Sequence, residues 1–200
     1  MKRRTLLVTL GAAATAGCAG IAPPEGRPAE PTTGRGPRTP ASEMDDCQSF
    51  APDSDRTVCW PTEDRLESRV YLNASVPTFE PDTDNLAAET LEFVLHDQHP
   101  NLPVEVNTGD WHIHRRTVEG WTPVASGTPA DSSRTIQPGE RHTWSLSFQP
   151  HPTPQTRETT YIVEPLENGT YAFQTVARLV GEAGDTLRVE CIAVVDVRRQ

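Results

Sequence analysis

Between residues 91 and 195, apolar and polar side chains change places one by one in short runs. Leu91, Phe93 and Leu95 alternate with Glu92, Val94 and His96, and Trp111, Ile113 and Arg115 alternate with His112 and His114. The same spacing returns at Trp144, Leu146 and Phe148, at Tyr171, Phe173, Thr175, Ala177 and Leu179, and at Leu187, Val189, Cys191, Ala193 and Val195. Successive side chains of a strand point to opposite faces, so period two predicts strands with one face turned to a core. Turn formers stand between the runs, at Glu119-Gly120, Pro138-Gly139, Asn168-Gly169 and Gly184-Asp185. No long segment carries a helical stripe. The pattern predicts an all-β fold, an antiparallel β-sandwich of about seven to nine strands, in a single domain over residues 47–200.

Several landmarks along these runs occur in a telling order. Leu91 to His96, Trp111 to Arg115, Glu119-Gly120-Trp121, Ile136 to Glu140 and Leu166 to Tyr171 together resemble the immunoglobulin-like domains of bacterial and archaeal lipoproteins. The resemblance implies a turn at Pro138-Gly139-Glu140 before a strand. It also implies a structural corner at Tyr171, whose hydroxyl would donate to a backbone carbonyl between Glu164 and Asn168. It implies no particular ligand, because such sandwiches host many unrelated roles.

The start of the chain reads as an address. Lys2-Arg3-Arg4, the apolar run Leu6 to Gly17 and then Cys18 resemble a twin-arginine export signal that ends in a lipidation and cleavage site, with Thr15 where such signals usually carry leucine. The run is too short and too rich in glycine and alanine for a spanning helix. The expectation is removal of residues 1–17, a lipid on Cys18, and a protein exported folded to the outer face of the cell membrane. From Ala19 to Asp46 there are six prolines and no aromatic residue. Such a composition cannot bury enough apolar surface to order itself, so residues 18–46 are expected to form a disordered, Pro-rich stalk.

Charge adds to the picture. Lys2 is the sole lysine, and removing residues 1–17 takes away three of the 18 basic residues and none of the 28 acidic ones, leaving a formal charge of −13. Acidity with arginine as the cation resembles the exported proteins of halophilic archaea, whose carboxylates keep surfaces hydrated while salt screens their repulsion. Such a surface repels nucleic acid, so the expected partners are the membrane, through the lipid, and an extracellular or envelope protein.

After lipidation Cys47, Cys59 and Cys191 remain. Cys47 with Cys59 is the expected disulfide, a short loop closed in an oxidising compartment, with Cys59 to Cys191 as the competing pairing. His96, His99, His112 and His114 are the candidate metal ligands, since imidazoles two apart on a strand can point at one ion. The competing reading sends His112 and His114 to solvent opposite a core-facing Trp111 and Ile113. A blue-copper site is disfavoured, because no histidine follows Cys191 and the methionines are Met1 and Met44. Nucleophile-elbow, zinc-protease and phosphate-loop motifs are absent. Asn73 and Asn168 fit the glycosylation acceptor. The sequence therefore points to a non-enzymatic module without a cofactor, used for binding, adhesion or envelope structure, with a histidine-based metal or redox accessory role as the alternative.

Overall fold

The computed structural model describes residues 47–61, 68–82, 89–129, 132–150, 156–181 and 184–199; the expected export signal, lipidation site Cys18 and stalk lie outside them. Eleven strands follow in chain order: β1 (Arg56–Trp60), β2 (Val70–Ala74), β3 (Thr78–Phe79), β4 (Thr90–Asp97), β5 (Val104–Thr117), β6 (Gly120–Ser126), β7 (Ser133–Ile136), β8 (Arg141–Ser147), β9 (Thr159–Val163), β10 (Gly169–Val180) and β11 (Thr186–Val197). They form a seven-stranded sheet, ordered β1-β11-β10-β5-β6 with β3 on β11 and β7 on β5, and a four-stranded sheet ordered β2-β4-β8-β9. The fold is an all-β sandwich. No helix among the described residues is long and apolar enough to cross a membrane.

Two details differ from the expected layout. The strands among the described residues number eleven, because β3 and β7 span only two and four residues, too few to print a readable alternation. Both sheets are mixed, with β1 and β3 each parallel to β11 and β9 parallel to β8. Side-chain period reports which face a residue occupies, not the direction in which its strand runs.

The alternating residues build the core as the pleat dictates. On the four-stranded sheet Leu91, Phe93 and Leu95 are buried beside Trp144 and Leu146, with Phe93 directly opposite Trp144 and Leu91 opposite Leu146. On the other sheet Ile113, Tyr171, Phe173, Ala177, Val189, Cys191, Ala193 and Val195 face them. Phe173 joins the two layers, stacked on Phe93 at a ring separation of 4.3 Å and 5.6 Å from the Trp144 ring. Each such ring buried contributes about 1.5–3 kcal/mol, and the ring pairs add about 0.5–1.5 kcal/mol. The buried Trp144 indole donates to the Thr108 carbonyl at 2.9 Å, so its polar edge is satisfied across the sandwich.

Local chemistry fixes the turns. Between β7 and β8, Gly139 takes a φ of 85° while the Glu140 N–H donates to the Gln137 carbonyl at 2.8 Å, a turn that needs glycine at its third position. At the head of β10 the Tyr171 hydroxyl donates to the Glu167 carbonyl at 3.0 Å. Arg115 braces this corner, donating to the Glu167 carboxylate at 3.0 Å and the Asn168 carbonyl at 2.9 Å. Tyr171→Phe keeps the ring and removes only the hydroxyl, so denaturant unfolding should register a loss of about 0.5–1.5 kcal/mol. No loss at all would mean that the corner is held by ring packing and Arg115 alone.

Candidate groove beneath the N-terminal strap

The lead-in to β1 is ordered and crosses the outer face of the seven-stranded sheet as a strap of residues 47–55. A disulfide joins Cys47 to Cys59 of β1, with a Cα–Cα distance of 6.1 Å. Cys59 stands in register with Ile192, and both belong to a small second core with Ala172 on the outer face. Cys191, one residue along β11, points the opposite way into the main core and is a buried free thiol. The Cys59–Cys191 pairing is excluded by that pleat. Burial also pushes the Cys191 thiol well above its ordinary range, so it stays protonated.

The strap is held by a buried acid. Glu190, fully enclosed, accepts hydrogen bonds from the backbone N–H groups of Phe50 and Ala51 at 2.7 and 2.8 Å. Its other oxygen accepts from the hydroxyls of Ser49 at 2.6 Å and Thr57 at 2.9 Å. Four donors on one carboxylate replace the water it has lost. Beyond them Arg188 pairs with Asp53 at 2.5 Å, a contact that holds the Asp53 carboxyl below its usual range, and the Arg188 N–H donates to Asp55 at 2.7 Å. The Phe50 ring then lies flat on His114, 3.9 Å between centroids, with Trp121 edge-on at 5.9 Å.

Beside the strap the same face opens into a groove of about 290 Å³, lined among others by Phe50, Asp53, Asp110, His112, His114 and Gln174. An irregularity in β5 delivers Asp110 to it. Thr175 pairs with Trp111 but Ala177 pairs with Val106, so residues 107–110 of β5 stand opposite Val176 alone. The Thr175 hydroxyl fixes this excursion by donating to the Asp110 carbonyl at 3.0 Å. The Asp110 carboxylate rests 3.4 Å from His112 Nε2. Gln174 is only 4% exposed, and its Oε1 is buried without a hydrogen-bond partner. His114 Nε2 is likewise buried and unpartnered. Burial, aided by the neighbouring His112, lowers the His114 pKa and keeps the ring neutral near pH 7.

The four candidate metal ligands are not brought together. His96 lies on β4 and His112 and His114 on β5, which belong to different sheets, each in the outward phase of its strand. They therefore occupy opposite outer surfaces of the sandwich. His96 bonds Asn73 Oδ1 through Nε2 at 2.6 Å and stacks on Tyr71, while His99 accepts the Leu102 N–H at 2.9 Å within its own loop. Among the described residues no group of three or more histidines, cysteines or acids is placed to hold a metal. The expectation of solvent-facing His112 and His114 holds for phase but not for cover, since Phe50 lies on His114. Of the two glycosylation acceptors, Asn73 is half-buried with its amide nitrogen donating to the Ala74 carbonyl at 3.0 Å, and Asn168 is exposed in the turn before β10.

Glu190, Gln174, Asp110 and Phe50 were not singled out by motif. One signal for them is present: Ile192 and Val194 occupy the outward phase of β11. A strand apolar on both phases is covered on both faces, so something had to lie over this sheet.

No family model matches the chain, and no curated protein matches it. Among solved structures it is similar to the alkylpurine DNA glycosylase AlkC of Pseudomonas fluorescens bound to DNA containing an abasic site analog, with 12% identity over 66% of this chain and a TM-score of 0.30. The chain spans about a third of that protein, 31% of its length. It is also similar to a structural genomics target, SoR45, with 11% identity over 64% of this chain and 87% of that one at a TM-score of 0.34. A third likeness is to the sporulation control protein Spo0M of Bacillus subtilis, with 16% identity over 66% and 51% of the two chains and a TM-score of 0.32. At these scores the likeness transfers neither activity nor ligand.

Proposed function

We propose that this protein is an exported, lipid-anchored module that acts by binding, without catalysis, at the outer face of the cell membrane of a halophilic archaeon. The observation that carries this reading is the join between its two halves. A leader ending in Gly17-Cys18 is followed by a Pro-rich stalk, and the first residue after the stalk, Cys47, is covalently tied to the sandwich. The disulfide and the four-donor Glu190 carboxylate fasten the lead-in to the body at the point where a stalk would join it, which suits a tethered domain. The acidic, lysine-free mature chain supports an extracellular protein as partner and argues against nucleic acid.

Fractionation tests the anchor. Cys18→Ser should leave export intact and move the protein from the membrane fraction to the medium, because one lipid group supplies the whole of the attachment. Retention of the variant in the membrane fraction would sink the lipid anchor.

A further inference from the structure

We propose that the groove beside the strap receives a donor-rich cationic head group, a guanidinium or a primary ammonium. The inference deepens the binding role just given and is independent of how the protein is anchored. Its basis is the inventory of atoms that the groove leaves unsatisfied. Gln174 Oε1 is an acceptor, buried, and has no partner within the protein. A buried acceptor left unpaired is costly, so a group that brings a hydrogen to it is held strongly. His114 Nε2 accepts in the tautomer that carries its proton on Nδ1, and it too is buried without a hydrogen-bond partner. Asp110 adds a formal charge at the rim, where its carboxylate is 45% exposed and meets a histidine that is charged only when protonated.

The remaining charges select against other ligands. Asp53 and Arg188 neutralise one another at 2.5 Å, which leaves Asp110 as the unneutralised charge among the groove-lining side chains, and the buried Glu190 carboxylate behind Phe50 and Ala51 adds to the negative field. An anion would face the Asp110 carboxylate, and an apolar ligand would leave Gln174 unpaired for good. A guanidinium offers five N–H donors in one plane and an ammonium three, so either brings both the charge that Asp110 attracts and hydrogens for acceptors such as Gln174 Oε1 and His114 Nε2. The cavity of about 290 Å³ admits such a head group with a short stem. The formal charge of −10 over the whole chain favours the approach of a cation.

Titration of the oxidised full chain, followed by the NMR signals of the Gln174 side-chain amide and the His114 ring, decides the matter. Methylguanidinium, propylammonium, acetate and glucose are compared at one ionic strength. The expected result is saturable movement of both signals with the two cations, at least about tenfold tighter than with glucose or acetate, and a loss of about tenfold in Asp110→Asn and in Gln174→Leu. Glu92→Gln, on the other sheet, should bind as the parent does. A blocked Gly-Arg-Gly peptide distinguishes the sources: tighter binding than methylguanidinium assigns the group to a protein side chain, and weaker binding assigns it to a small molecule. Should Gln174→Leu fail to fold, Asp110→Asn at the exposed rim decides alone. Non-saturating shifts spread over the acidic surface, tighter binding of glucose or acetate, or unchanged affinity in Asp110→Asn would overturn the proposal. Because membrane fractionation of Cys18→Ser reads location and this titration reads the groove, either can fail without the other.

Discussion

Glu190→Ala should destabilise the protein by about 2–4 kcal/mol and release the strap. The carboxylate of Glu190 satisfies two backbone N–H groups and two hydroxyls at once, and each buried donor left without a partner costs about 1–3 kcal/mol. The sum is capped, because the strap can lift away and let its donors reach water. Denaturant unfolding should show the loss, and hydrogen exchange at Phe50 and Ala51 should accelerate to near the rate of an open loop, although the disulfide keeps Cys47 attached. Glu190→Gln separates packing from hydrogen bonding. Its remaining oxygen can serve the backbone pair while its amide donates to the Ser49 and Thr57 hydroxyls, which rotate to accept, so the loss should be about half as large. Equal exchange rates at Phe50 and Ala51 in the parent and Glu190→Ala would mean that the ring stack on His114, not Glu190, holds the strap.

The second large effect is a loss of stability on mild acidification. His142 of β8 is 2% exposed, bonded to the Thr160 hydroxyl at 3.0 Å and edge-on to Trp144. Burial first, and the neighbouring Arg134 cation second, lower its pKa from 6.5 to about 4. As pH falls through 6.5 the unfolded chain takes up a proton that the folded chain refuses. Stability therefore declines between about pH 6.5 and 4, by about 3 kcal/mol, and this contribution flattens below the folded pKa. His96 and His114, also lowered by burial, act in the same direction. Asp97, whose carboxyl burial raises, acts with the opposite sign in the carboxylate range. His142→Gln should remove most of the slope between pH 6.5 and 4 while leaving neutral-pH unfolding two-state; an unchanged slope would assign the acid sensitivity to other groups.

What could be read in advance follows a physical division. Leu91, Phe93 and Leu95 against Trp144 and Leu146, and the inward phase of β10 and β11, were legible because a half-buried strand writes its two faces into alternate residues. The Tyr171 corner was legible only through the resemblance of Leu166 to Tyr171 to the immunoglobulin-like lipoprotein domains. The strap was not, for it has no period and its contacts with Glu190 span about 140 positions of sequence. Glu190 looks like one acid among 28 until its partners are seen. The groove was invisible for the same reason. Asp110 reaches it through a four-residue excursion of β5, and His114 is claimed by Phe50 rather than by the histidines that share its motif.

The parallel pairing of β1 with β11 has a mechanical consequence for a tethered protein. In a chain tethered as proposed, tension ahead of residue 47 would arrive at Cys47 and pass through the disulfide to Cys59, bypassing the strap and the groove wall it forms. The pull is thus carried by β1, whose residues Arg56 to Trp60 run alongside Val189 to Ala193 in the same direction. If the body is held at the far end of β11, the two strands are drawn lengthwise past each other, and all the rungs between them must give together rather than open one at a time. Under such a load the disulfide would take the strain while the face beside the strap kept its shape.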